Sequence, residues 1–553
     1  MDGTVTKGKP VVLHGHTHVP LHGEKQTGKT DPNSKLKVTL VLRRSRELPD
    51  LHSEFGGKHP RQRKHLTRES LATEHGMIAD DIALVTRFAH ECHLELSEVA
   101  THRRAVVLSG TAAAMERAFG VTLVELEHPR GSYRAATGNL TVPHELSGIV
   151  LTVLGLNTRP CAQRRRVHHQ NTVKPFWTVR EMADAYGFPA KHHAAAQSIG
   201  LIELGGGCHE EDLQKFFSSI QMPMPAIRWV AIDGVQNSPA PKHGIQQFLD
   251  VVEGKLKISE VSEDVLAAAQ STVEVTMDIE LAAALAPGAE IVVYMAPNTE
   301  QGIYNAVSKA ISSDGKPDKL PCALSISWGE PEIGVSEAYI NCVDEVLRDA
   351  AMLGVTVCTS SGDDGAMNGS TDGKPVVNFP ASSPHALSCG GSTVHTALGD
   401  DVKESAWNCA LHGLHGATGG GVSRRFGAPH WQKEQGVPLG PTGRKGRGVP
   451  DVAGPADPHR GCAIFVGGRW CSSAGTSAVA PLWAALVACI NSTLKARCGY
   501  VTPLLYELSK SGAKPLREIT EGNNGFYKAG PGWNACTGLG SPIVQRLIEA
   551  LRG

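Results

Sequence analysis

Between residues 198 and 365 four apolar runs each end in a glycine-rich turn: SIGLIELGGG (198–207), EIVVYMAP (290–297), CALSISWG (322–329) and GVTVCTSSGDDG (354–365). Each is short and apolar throughout rather than alternating, which is the pattern of a strand covered on both faces. Helix-patterned stretches lie between them, at 264–286 and 335–353. Buried strands joined by helices make a doubly wound parallel sheet, with function at the carboxyl ends of the strands. This part of the chain is therefore read as α/β. LGGG (204–207) and TGGGVS (418–423) match neither phosphate-loop spacing and are read as tight turns.

The chain has 553 residues, too many for one ordinary core, and its first third has a different pattern. Residues 1–34 are polar and rich in Gly, His and Lys, and are expected to be a disordered tail. KLKVTLVLRR (35–44) alternates as a strand does. TRESLATEHG (67–76) opens with a capping pattern, and DDIALVTRFAHECHLEL (80–96) reads as a second helix. RAVVLSG (104–110), TAAAMERAFG (111–120) and VTLVELEH (121–128) continue as strand, helix and strand. That order suits a ferredoxin-like α+β domain over 35–160. A basic linker follows at 161–175, where the Arg triplet in CAQRRRVHH offers an exposed proteolytic target. The α/β domain occupies 176–553.

A net charge of −1 conceals an asymmetry. Residues 1–170 carry 24 Lys and Arg against 17 Asp and Glu, and hold 15 of the 25 His; the remainder carries 30 against 38. The two parts should attract at neutral pH, and acid should loosen them as His gains charge and carboxylates lose it. The near-neutral total gives no sign of a nucleic-acid partner. No stretch approaches the roughly 20 apolar residues of a membrane span. Residues 1–20 lack the apolar core of a secretory signal, so the route of export stays open. Thirteen Cys without a CxxC pair point to scattered buried thiols, not a zinc ribbon or a disulfide framework.

SSAGTSAVAPLWAAL (472–486) places Ser477 on a turn that runs into an apolar helix, a setting for an exposed nucleophile. A serine hydroxyl needs a base. HGHTHVP (14–20) resembles the His motif of subtilisin-type peptidases, but it lies ahead of the whole α+β segment, with only Asp2 before it, so a Ser/His/Asp arrangement is rejected. STVEVTMDIELAAALAPGAEIVVY (271–294) offers another base. Glu274 and Asp278 are four apart on one face of a helix. Two carboxyls in a partly apolar setting have raised and split proton affinities, and such a pair can pass a serine proton along. Asp363 sits in a Gly-flanked turn at a strand end. Protonated, it could donate to an oxyanion alongside the Ser477 backbone N–H.

Four motifs, EVTMDIELAAALAPGA, SISWG, SSGDDG and GTSAVAPLWAALVA, resemble in order and spacing those of the sedolisin family of serine-carboxyl peptidases. The likeness runs through most of 176–553. Residues 35–160 resemble the family's activation prodomain, as in HPRQRKHLTRE and LSGTAAAMERAFGV. The resemblance implies a subtilisin-like parallel sheet and a self-processing zymogen whose prodomain is an intramolecular inhibitor of a secreted, monomeric, acid-active endopeptidase on protein or peptide substrates. It implies that Ser477 is the nucleophile, Glu274 the general base and acid, Asp278 the partner sharing its proton and Asp363 the oxyanion acid. Glu203 and Trp328 match positions that extend the Glu–Asp network. A carboxylate base still titrates in acid, where an imidazole would be charged.

The family also implies one calcium ion, held here by Glu518, Ile519, Gly530, Gly532 and Asn534. The pattern calls for two Asp carboxylates. Glu518 is a methylene longer and Asn534 is neutral, so a weakened site is expected. Asn378, in VVNFP, stands where a member of the family carries an Asp near the cleft, which should alter preference for basic side chains. Three other activities stay open from the residues alone: a catalytically silent binding protein of this shape, an esterase using the same Ser, and a tripeptidyl-type exopeptidase.

Overall fold

The computed structural model describes residues 9–21, 23–128, 131–162, 177–188, 194–312, 319–370, 372–398, 401–409 and 416–552. The four apolar runs all become strands of one eight-stranded sheet. In chain order its strands are β1 (Ser198–Glu203), β2 (Ile227–Ala231), β3 (Glu290–Met295), β4 (Ala323–Ile326), β5 (Thr356–Ser360), β6 (Leu387–Leu398), β7 (Asp401–Ala406) and β8 (Val452–Pro455). Their spatial order is β2-β3-β1-β4-β5-β6-β7, with β8 also paired to β6. Every pairing is parallel except β6 with β7. The expected doubly wound sheet is thus observed. β1, β4 and β5 are buried along their whole length, as strands with helices on both faces must be. Two strands carry no apolar run. β2 is a partly exposed edge, and β6 (LSCGGSTVHTAL) is rich in the Gly, Ser and Thr of turns.

Three helices position the chemistry: α1 (Glu263–Leu285), α2 (Glu337–Met352) and α3 (Thr476–Leu494). α1 starts on Ser262, whose hydroxyl accepts from the Val265 N–H, and from Ala269 onward it is buried on nearly every side. α3 packs against α1 and against β4 and β5, and is also buried almost throughout. A helix with no solvent face cannot carry charged side chains for solubility, so carboxyls on α1 are held for another reason.

The N-terminal part is an antiparallel four-stranded sheet, Glu95–Ala100, Ala105–Thr111, Lys35–Leu42 and Val150–Leu154 in spatial order. With the helices Ala79–Glu91 and Ala112–Phe119, the chain order is the expected ferredoxin-like βαββαβ. Two expectations are corrected. The helix expected over 80–96 ends at Glu91, because His93 takes a left-handed turn (φ 58°) and 95–100 pair as a strand. The tail expected to be disordered is built into the fold from residue 9. Val11–Val12 pairs with Thr141–Val142, and Lys25–Lys29 pairs with Thr122–Glu127. Polar composition hid these edge strands. Most of the expected linker, residues 163–176, lies outside the described residues.

The N-terminal domain docks on the α/β domain through one continuous apolar core. Val41, Leu48, Leu51 and Phe55 pack in the same cluster as Tyr304, Tyr339 and Leu347. Charge crosses there in the expected sense. Arg44, with 3% of its side chain exposed, donates to Asp349 Oδ1 at 2.6 Å and to Glu345 Oε2 at 2.7 Å, and Arg104 lies 3.8 Å from Asp349. Removing one member of a buried pair strands the other charge, a loss of about 3–5 kcal/mol. Arg44→Ala should therefore lower the thermal midpoint of the full chain at pH 7 and open the domain junction to limited proteolysis. An unchanged midpoint and unchanged resistance would show that this pair does not hold the docking.

Candidate active site

α1, the ends of β1, β4 and β5, and the start of α3 converge on a cleft open to solvent. Glu274, Ser327, Trp328, Asp363, Thr476 and Ser477 line it. Glu203 closes β1 and Trp328 follows β4, so the parallel sheet delivers both to the same edge. The Trp328 indole N–H donates to Glu203 Oε2 at 3.1 Å. Glu203 also shares a hydrogen bond with Asp278, and both are fully buried, while Glu274 is 7% exposed. Burial first, then the charge of Glu274, pushes the Glu203 carboxyl up to about 8, against the pull of its bonds to Trp328 and Asp278. A hydrogen bond between two carboxyls requires a proton on one of them, so this buried group of acids retains a proton that exposed carboxyls would have lost.

Ser327 connects this pair to the serine, and the sequence reading missed it. Its hydroxyl donates to Asp278 Oδ2 at 2.6 Å and lies 3.2 Å from the Ser477 carbonyl oxygen. The Ser477 hydroxyl in turn donates to the Ser327 carbonyl at 3.3 Å. Ser327 lies within SISWG, but one Ser in an apolar run carries no signal of its own. Ser477 is the second residue of α3, reached through Gly475 at φ 77°, a left-handed turn that an L side chain rarely adopts.

Asp363 lies on the loop after β5. Its Oδ1 accepts from the Thr476 N–H at 2.7 Å and the Thr476 hydroxyl at 2.8 Å, while the Gly362 N–H donates to that hydroxyl at 3.1 Å. Thr476 is the second residue missed: it locks the Asp363 loop to the helix start that carries Ser477. Asn378 also lines the cleft, where its amide oxygen accepts from Asn368. Among the described residues that line the cleft there is no histidine. The HGHTHVP segment lies in the N-terminal domain, where His16 Nε2 accepts from the Val153 N–H at 3.0 Å.

The residues expected to hold calcium are arranged differently. The Asn534 side-chain amide donates to the Ile519 carbonyl at 3.2 Å and to the Gly530 carbonyl at 3.1 Å. Its oxygen accepts from the backbone N–H groups of Cys536 and Thr537 at 3.1 and 3.0 Å, which fixes which end of the amide is the oxygen. An NH2 group thus occupies both carbonyls intended for the cation. Glu518 is exposed, as is Gly532. Calcium takes six or more oxygens, preferably charged ones, and this donor set does not fit it.

A helix-borne serine, a run of buried carboxyls and a cleft without histidine are the layout of a serine-carboxyl peptidase. The chain is 40% identical to kumamolisin of Bacillus sp. (strain MN-32), over 98% of this chain and 96% of that protein. It is 26% identical to tripeptidyl-peptidase sed5 of Aspergillus fumigatus, over 96% of this chain and 95% of that protein. Residues 22–159 match the family described as Pro-kumamolisin, activation domain. Pseudomonas sedolisin, solved with two molecules of pseudo-iodotyrostatin, shares the fold: the TM-score is 0.57 at 24% identity, over 69% of this chain and 99% of that one. The chain belongs to the sedolisin family of serine-carboxyl peptidases, and it carries the family's activation prodomain.

Two outcomes follow from this geometry. An acid held above its ordinary value is stabilised when protonated, so the Glu203 contribution is fully present below about 4.5 and is lost as pH rises towards 8. Glu203→Gln should flatten the stability–pH curve across that window, read as denaturation midpoints; a slope unchanged from the parent would place the proton elsewhere. Added Ca2+ should leave the thermal midpoint of the parent chain unmoved. Asn534→Asp should lower the midpoint, at a cost of about 1–3 kcal/mol of stability as a carboxylate faces two carbonyls, and Ca2+ should restore part of the loss. A parent midpoint that rises with Ca2+ would contradict the misfit.

Proposed function

We propose that this peptidase is an acid-acting endopeptidase of an extracellular acidic setting that matures by cutting its own chain within 160–176. The observation that supports it best is the convergence of Ser477, Glu274 and Asp363 on one cleft at the carboxyl edge of the sheet, with Asp278 buried beside it and bonded to Ser327. Ser477 Oγ attacks the scissile carbonyl carbon as Glu274 takes its proton, and Asp278 and Glu203 hold that added proton within their shared network. The oxyanion forms against a protonated Asp363 carboxyl and the Ser477 N–H. Glu274 then returns its proton to the leaving amine, which leaves an acyl-enzyme on Ser477. Water, deprotonated by the same Glu274, releases the acid product and restores the serine.

Geometry near the linker supports self-cleavage. Arg159 donates to the Gly334 carbonyl, and the Ala162 N–H donates to Asn298 Oδ1 at 2.9 Å. Both contacts lie on loops just beyond the carboxyl ends of β3 and β4, so the chain leaves the prodomain on the cleft side of the sheet.

The docked prodomain also contains an acid-labile contact. The His65 ring sits over Gly354 and Gly499, where a Cβ on either glycine would come within 2.7 or 2.6 Å of it. Phe55 packs beside it at 5.1 Å, and Arg63 and Arg497 are the nearby charges. Burial, then those two cations, pushes the imidazole down to about 4. The docked state therefore binds fewer protons than the free one, and docking weakens as pH falls from about 6.5 to 4. Glu345, held below its ordinary value by Arg44 against the opposing effect of burial, loses that pairing as pH falls further.

Ser477→Ala should abolish both maturation in acid and cleavage of a denatured protein, and Glu274→Gln should lower both by at least ~100-fold. Intact mass after acid incubation and end-group analysis of the products give the readouts. Maturation of the Ser477→Ala chain by itself would refute self-cleavage, and products released only as N-terminal tripeptides would favour the exopeptidase.

A further inference from the structure

A second set of reactive side chains lies outside the cleft. Cys409, Asp457 and His459 bring a sulfur, a carboxylate oxygen and an imidazole nitrogen within 4.8 Å of one another. Cys409 and Asp457 are buried and His459 is half-buried. Asp457 Oδ1 accepts from the His459 backbone N–H at 2.9 Å and lies 3.8 Å from Cys409 Sγ. His459 Nε2 is buried and has no hydrogen-bond partner among the described residues, which is costly for a group that can both donate and accept.

The surroundings are those of a metal site rather than of a plain polar cluster. The Trp407 indole N–H donates to Cys409 Sγ at 3.0 Å and fixes the position of the sulfur. The Thr393 hydroxyl donates to Asp457 Oδ2 at 2.9 Å and so orients the carboxylate, leaving Oδ1 aimed at the sulfur. Outer hydrogen bonds of this kind fix ligand direction in metal sites. The donor set of one thiolate, one imidazole and one carboxylate suits a borderline ion such as Zn2+, not Ca2+ or Mg2+. Around tetrahedral zinc, donors lie roughly 3.3–3.8 Å apart, so the three need to close by about 1.5 Å at most.

We propose that Cys409, Asp457 and His459 form a binding site for a zinc-like divalent ion, with a fourth position open to water. Binding forms a metal–sulfur bond and releases the Cys409 thiol proton to solvent; no electron is transferred. The site is joined to the oxyanion loop through the backbone. The Cys409 N–H donates to the Gly416 carbonyl at 2.8 Å, and the adjoining Ala417 N–H donates to the Asp363 carbonyl at 2.8 Å. An ion held at Cys409 therefore stiffens the strand that positions Asp363.

The test uses the full chain at pH 7, stripped of metal and titrated with Zn2+ and then Co2+. One Co2+ should bind with a thiolate-to-metal charge-transfer band in the near ultraviolet. Cys409→Ser should abolish the band, and His459→Ala, at a half-buried position the fold tolerates, should weaken Zn2+ binding by at least ~10-fold. Unchanged thermal midpoints of the metal-free variants separate loss of binding from loss of fold. A band that survives in Cys409→Ser, or equal Zn2+ affinity in His459→Ala and the parent, would overturn the site.

Discussion

Three acidic side chains share one dry region between α1 and the sheet, and the rest of the structure depends on how they share protons. Asp278 and Glu203 are fully buried and Glu274 nearly so. Ionising all three there would crowd like charges in a low-dielectric interior. A proton retained within the group resolves this, because one carboxyl can then donate to the other. Trp328 and Ser327 supply the remaining donors, at 3.1 and 2.6 Å. α1 must be long, buried and rigid to hold Glu274 and Asp278 in place, and α3 packs on it so that Ser477 arrives beside Ser327.

The same chemistry, carboxyl protonation in acid, bears on the prodomain. Its docking uses Arg44 and Arg104 against Glu345 and Asp349, and a neutral His65 enclosed by Gly354, Gly499 and Phe55. Neutral pH favours the His65 contact and the pairing of Arg44 with Glu345, and acid weakens both. On the proposed reading, conditions that suit a carboxyl base also loosen the prodomain.

Much of this was legible from the sequence, for physical reasons that can be named. β1, β3, β4 and β5 read as strands because burial on both faces confines their charged residues to the ends, Glu203 on β1 and Glu290 on β3. Glu274 and Asp278 stood out because two acids on one face of an apolar helix need an explanation. Ser327 and Thr476 did not stand out, since a hydroxyl that bridges two elements looks like any other Ser or Thr until those elements meet. β6 was hidden by its turn-like composition, and the strands near residues 11 and 25 by polar side chains on an edge. The sequence showed only that Asn534 weakens a calcium site. The structure shows why: its amide hydrogens fill the carbonyls a cation would need.

The central claim is that a carboxyl, not an imidazole, takes the proton of Ser477. It is tested most directly by kcat/KM of the matured enzyme on a peptide substrate across pH 2 to 8. The account predicts that activity rises with an apparent pKa in the carboxylate range of about 3–5 and is already falling by neutral pH. A profile that stays flat through acid, climbs only around pH 6.5 and then holds a plateau would mean that a histidine is the base, and would contradict it.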